Sequence, residues 1–142
     1  MNRTQAPATI ELPASTARRA GLIFTFLWFL IGGIGHFVAA GFFTSIVPPW
    51  VPEPLLVVYL SGVVELALAA QLIPVRTRPM AGVALILLIV AVTPANVWML
   101  QQQATLFPQF PVWLLSLRLV IQVALIANVW WSTRPAPQRP RV

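Results

Sequence analysis

Apolar residues along this chain come in long unbroken runs rather than in alternation with polar ones. Four runs stand out, at about 20–40, 55–74, 79–100 and 112–132. Each holds about the 20 residues a helix needs to cross a hydrocarbon core of about 30 Å. Continuous runs of this length argue against barrel strands, which alternate. The links between them are short and proline-rich: "GFFTSIVPPWVPEP", "VRTR" and "QQQATLFPQFP". Short links set consecutive helices side by side and opposite in direction. The pattern therefore predicts an all-α integral membrane protein, a four-transmembrane-helix antiparallel bundle. The polar head (1–19) and the proline-broken tail (133–142) are expected to be disordered.

Composition sharpens this picture. Of 142 residues, 58% are hydrophobic and 8% charged, against about 25% charged in an ordinary soluble domain. A chain so apolar needs lipid over its surface, and its length allows one domain. The net charge of +6 comes from scattered arginines with no basic stripe, which points to anionic lipid headgroups and away from nucleic acid. With no cysteine, the chain has no disulfide, thiol relay, iron–sulfur cluster or cysteine-anchored haem of its own.

The arginines also orient the bundle. Arg3, Arg18 and Arg19 lie in the head, Arg76 and Arg78 in the second link, and Arg134, Arg139 and Arg141 in the tail. All fall on one side of a four-pass arrangement, so the positive-inside rule expects N-in/C-in, both termini cytoplasmic, in a bacterial inner membrane. The stretch "RRAGLIFTFLWFL…FVAA" has the basic, apolar, small-residue order of a cleavable signal. Its apolar run exceeds the usual 7 to 15 residues, so a retained span is expected. Trp28, Trp50, Trp98, Trp113, Trp130 and Trp131 fall mostly near span ends and read as interfacial anchors.

Three ionisable groups interrupt the spans: His36, Glu65 and Arg118. A charge at mid-helix costs about 2.5 to 3.5 kcal/mol on insertion scales, so these groups should face the bundle interior. At 1.5 Å per residue, Glu65 lies about 15 Å from the outer end of its span, Arg118 about 9 Å and His36 about 6 Å. Depth predicts that Arg118 reaches inward to pair with Glu65, leaving His36, Tyr59 and Asn96 above the pair. Ser61, Gly62, Glu65 and Ala69 share one helix face, as do Gly32, Gly35, His36 and Ala39, so small residues should let these two spans approach. Gln122 sits one turn from Arg118. Pro94 leaves the Val90 carbonyl without its usual donor beside Asn96. Two readings stay open for this polar set: a pocket that binds something, or polar contacts that hold four helices in register.

The segments "GGIGHF", "IVPPWVP", "YLSGVVELALA", "LIPVRTR", "TPANVWM" and "LRLVIQ", in this order and spacing, resemble the DoxX-like family of small bacterial four-helix membrane proteins. The resemblance covers about residues 21–131 and implies that His36, Glu65, Asn96 and Arg118 occupy the family's recurrent polar positions. Some members of that family are subunits of membrane sulfur or quinone redox complexes, and distant kin assist the assembly of other membrane proteins. The expected role is an accessory subunit of a membrane redox system, binding a quinone-like or small lipophilic ligand in an outward-facing polar pocket of His36, Tyr59, Glu65, Asn96, Arg118 and Gln122. There His36 and Tyr59 would hydrogen-bond a carbonyl, and Phe42, Phe43 and Trp50 of the first link would cover the entrance. No covalent cofactor and no metal is expected, since one histidine and one carboxylate fall short of a ligand set. The chain is not expected to be an enzyme on its own, because electrons would have to come from partner redox subunits. The alternatives are an assembly factor that holds a client membrane protein, and a proton or solute transporter using Glu65, which would need a homodimer for alternating access.

Overall fold

A computed structural model describes residues 15–134. Six helices follow one another: α1 (Thr16–Val38), α2 (Ala40–Ser45), α3 (Pro54–Gln71), α4 (Arg78–Gln101), α5 (Gln103–Leu106) and α6 (Val112–Thr133). No strand occurs among the described residues. By length and composition α1, α3, α4 and α6 can each cross a membrane, and the chain is a multi-pass membrane protein. These four fall on the four apolar runs.

The ends differ from expectation in instructive ways. Helix α1 starts at Thr16, so Thr16–Arg19 are helical rather than part of a disordered head. Ser15 explains the start: its hydroxyl accepts a hydrogen bond from the Arg18 amide at 3.3 Å, satisfying one of the free donors of the first turn. Alanine and arginine then favour helix over the next turn. Helix α6 likewise takes in Thr133, the first residue of the expected tail. The rest of the expected head and tail, 1–14 and 135–142, lies outside the described residues.

Two links contain helix that the apolar pattern does not show. Helix α2 follows α1 after a break at Ala39 (φ −117°, ψ 36°), and α5 follows α4 after Gln102. A helical turn satisfies backbone groups locally, which suits a link lying against apolar surroundings.

Packing joins α1 to α3 most closely and α4 to α6 next, with α1 also against α6 and α3 against α4. Glycines set the first contact. A Cβ on Gly33 would sit 2.8 Å from Leu66 Cγ, and one on Gly62 would sit 2.7 Å from His36 Cβ and 3.1 Å from the Gly33 carbonyl oxygen. Only residues without side chains let these backbones meet. At the other end of α1, Asn128 of α6 donates to the Gly21 carbonyl at 3.1 Å and to Thr25 Oγ1 at 2.8 Å.

Two apolar cores result. The larger gathers Phe29, Ala69, Leu72, Ala81, Leu85, Ile89, Leu125 and Val129 from all four long helices. The smaller, of Ile46, Met99, Phe107 and Leu115 with Phe43, Leu100 and Phe110 around it, closes the end where α2 and α5 lie. Outside these cores Val38, Met80, Leu87 and Val123 stand more than half exposed, an apolar outer surface suited to lipid.

Candidate functional site

Helices α1 and α3 bring His36 and Glu65 together. His36 is 8% exposed and Glu65 9%, and imidazole Nε2 lies 3.6 Å from carboxylate Oε1. That is an ion-pairing distance, slightly longer than a hydrogen bond. The other ring nitrogen is fixed by α3: Nδ1 is 2.9 Å from the Val58 carbonyl oxygen and 2.7 Å from Ser61 Oγ.

This second contact decides where the proton sits. Ser61 Oγ donates to the Val58 carbonyl at 2.9 Å, so both groups facing Nδ1 present lone pairs to it. A lone pair on Nδ1 would repel them; Nδ1 therefore carries hydrogen. That leaves Nε2 facing the Glu65 carboxyl at 3.6 Å, where an added proton can sit on either group. A fixed histidine and an acid facing each other make a proton donor and acceptor inside an apolar span.

The surroundings hold this pair in place. Glu65 Oε2 lies 2.9 Å from where a Cβ on Gly32 would be, so glycine makes room for the carboxylate. Phe43 of α2 lies against the imidazole, with ring centroids 4.3 Å apart.

Arg118 sits elsewhere. Its Nη2 donates to Asn96 Oδ1 at 2.7 Å and its Nη1 to the Met99 sulfur at 3.1 Å, all between α4 and α6. The expected pairing of Glu65 with Arg118 is not formed: among the described residues the one carboxylate contact within 4.0 Å is that of Glu65 with His36. Depth alone predicted a partner on a distant helix, whereas Glu65 and Arg118 are each met by the helix that packs most closely on their own.

The remaining sequence-predicted residues divide in the same way. Gln122 stays on the α4–α6 side, its amide 3.4 Å from the Ile89 carbonyl and 3.5 Å from Thr93 Oγ1. Thr93 returns its own hydroxyl to Ile89 at 2.8 Å, just before Pro94. Tyr59 turns away from His36 and stacks on Phe37, centroids 5.6 Å apart and planes 8° apart. Among the first-link aromatics, Phe43 reaches His36, while Trp50 meets Trp98 edge-on at 5.3 Å.

Sequence reasoning missed Ser61 and Val58 as the groups that orient His36. The signal was present, since Ser61 lies one turn before Glu65 on the same face. Among the described residues no three potential metal ligands cluster; His36 and Glu65 supply two donor atoms. A separate groove of about 390 Å³ runs between α4 and α6, lined by Val83, Ile86, Leu87, Val123, Ile126, Ala127 and Trp130, and contains none of these polar residues.

Set against known proteins, residues 25–133 match a family model described as a domain of unknown function (DUF8561), a stretch that includes every polar residue named above from His36 to Gln122. No curated protein and no solved structure matches the chain.

Proposed function

The chain belongs to the DUF8561 family, and within it we propose a membrane protein that binds a quinone-like or other small lipophilic ligand at the His36–Glu65 pair, as an accessory subunit of a membrane redox system. The observation that carries this reading is the buried imidazole with Nδ1 anchored on Val58 and Ser61 and Nε2 facing Glu65. A quinone taking up two electrons must also take up two protons. The pair can pass on one of these protons, and the second enters from the outer face to which the proposed pocket opens. Electrons come from a partner subunit, since one histidine cannot give a bis-histidine haem and the chain has no cysteine to ligate an iron–sulfur cluster. The resemblance to the DoxX-like family agrees with this setting.

The same proposal takes the bundle as antiparallel, with both termini cytoplasmic in a bacterial inner membrane. Contacts between helix ends support it: the end of α1 meets the beginning of α3 through His36 and Val58, and the beginning of α1 meets the end of α6 through Gly21 and Asn128. Arginine placement supports the orientation.

Thermal melting in detergent tests the ligand. A short-chain quinone analogue should raise the melting temperature of the wild type, and His36→Gln should abolish the rise while leaving the protein folded. Tyr59→Phe keeps the ring stacked on Phe37 and should retain most of the rise. Equal shifts in wild type and His36→Gln, or none in either, remove the quinone reading. An assembly factor then moves ahead, with the apolar α4–α6 groove as the surface offered to a client.

A further inference from the structure

We propose that Arg118 and Asn96 form a second binding site, selective for an oxyanion and independent of the His36–Glu65 pair. The argument begins with charge. Arg118 is half-buried in α6, in the second turn after Val112, and no carboxylate among the described residues lies within 4.0 Å of it. Of the acidic residues described, Glu65 is engaged by His36 and Glu53 stands at the N-cap of α3. A guanidinium among apolar side chains with no counter-charge is costly, and an anion removes that cost.

Hydrogen-bond accounting then fixes the sign and shape of the occupant. A guanidinium has only donors, so the Asn96 atom facing Nη2 at 2.7 Å is its carbonyl oxygen, which leaves its amide nitrogen as a further donor. Arg118 spends its other recorded bond on the Met99 sulfur at 3.1 Å, a weak acceptor. Every group left unspent, on guanidinium and amide alike, is a donor. Such a cluster recognises acceptors only. A neutral carbonyl would accept these bonds and leave the positive charge unanswered; an oxyanion answers both, and the planar fork suits two oxygens at once.

The walls define the approach. Met99 is 1% exposed and packs with Phe107 and Leu115, closing one flank, so the anion comes from the half-exposed side of Arg118. Arg118 lies about 9 Å from the Val112 end of α6, within reach of a lipid phosphodiester because an arginine stem extends toward the interface. A dissolved phosphate reaching the same end would meet the same donors.

The test uses the whole chain purified in a phosphate-free maltoside detergent. Melting temperature is followed against inorganic phosphate and against short-chain phosphatidylglycerol, with sodium chloride at matched ionic strength as the reference. At least one phosphate-bearing probe should stabilise the wild type beyond chloride. Arg118→Lys keeps the charge but loses the fork, and should weaken apparent affinity about tenfold or more; Asn96→Ala should weaken it as well, and Arg118→Gln should abolish it. A response to phosphate identifies a soluble anion, and a response to phosphatidylglycerol alone identifies a lipid. The site is overturned if neither probe exceeds chloride, or if Arg118→Lys and Asn96→Ala both bind as the wild type does. These two variants decide the matter should Arg118→Gln fail to fold. The quinone-analogue response of the wild type is read separately, so either site can fail while the other stands.

Discussion

His36 and Glu65 face each other between α1 and α3, and the energetics of single residues should show it. In a double-mutant cycle His36→Gln and Glu65→Gln should couple by about 0.5 to 3 kcal/mol, as groups in one network do. Glu65→Gln and Arg118→Gln belong to different networks and should add within about 0.5 kcal/mol in detergent melts; coupling between them would show that the carboxylate and guanidinium interact after all. The glycines around the pair give a finer test. A Cβ at Gly62 meets His36 Cβ at 2.7 Å and a backbone oxygen at 3.1 Å, so Gly62→Ala should cost about 1 to 3 kcal/mol. At Gly32 the added carbon meets only the far end of the Glu65 side chain, at 2.9 Å. Gly32→Ala should therefore leave the melting temperature of the free protein nearly unchanged and remove the quinone-analogue shift. Gly41, with nothing within 4 Å of an added Cβ, serves as the neutral control. At this scale the sequence was partly legible. Its glycine faces foretold that α1 and α3 approach, although Gly33, outside the expected face, and not Gly35 meets Gly62 and Leu66; its charges foretold which side chains make polar contacts between helices. Partner choice was not legible, because reach and depth say nothing about which helices are neighbours. Tyr59 was misplaced for a simpler reason: it falls about 100° round the helix from Val58, which carries it off the buried face that Gly62, Glu65 and Ala69 share.

Among elements, polar ties divide by helix pair. Helices α1 and α3 share the His36 bonds, α4 and α6 share those of Arg118 and Gln122, and Asn128 ties α6 back to α1. Asn128→Leu removes that tie and should cost about 0.6 kcal/mol, with about 1.7 as the upper end for such bonds in membranes, measured by unfolding in mixed micelles. A larger loss would mean the α1–α6 contact organises more of the fold than its two hydrogen bonds. Helix α4 runs from Arg78 to Gln101 through Pro94 without interruption. Nearby, Thr93 and Gln122 both reach the Ile89 carbonyl, one residue before the Val90 carbonyl that Pro94 leaves without its usual donor. The four long helices were legible from apolar run length alone, since bilayer thickness imposes it. Helices α2 and α5 were not, because a six-residue and a four-residue helix carry no periodicity to read against proline-rich surroundings.

For the molecule as a whole, topology is the first expectation to check. A reporter at the C-terminus should read cytoplasm, and reporters inserted near Pro49 and Gln103 should read the opposite side; a C-terminus on that opposite side would overturn the four-pass arrangement. The division of polar ties has a further consequence, which concerns synthesis. Each well-bonded pair is a hairpin of consecutive spans, with its short link between them. By the time the span carrying Glu65 leaves the ribosome, the span carrying His36 is already made, and the same holds for Asn96 ahead of Arg118. Neither charge has to wait in lipid for a distant helix. The chain can thus enter the membrane as two successive units that make most of their polar contacts internally, and then dock through the larger apolar core and the Asn128 tie to α1. Two polypeptides divided within the second link, near Val75, should accordingly recombine in one cell into a bundle that copurifies and melts close to the intact protein, whereas a division between His36 and Glu65 should strand a carboxylate and send both pieces to proteolysis.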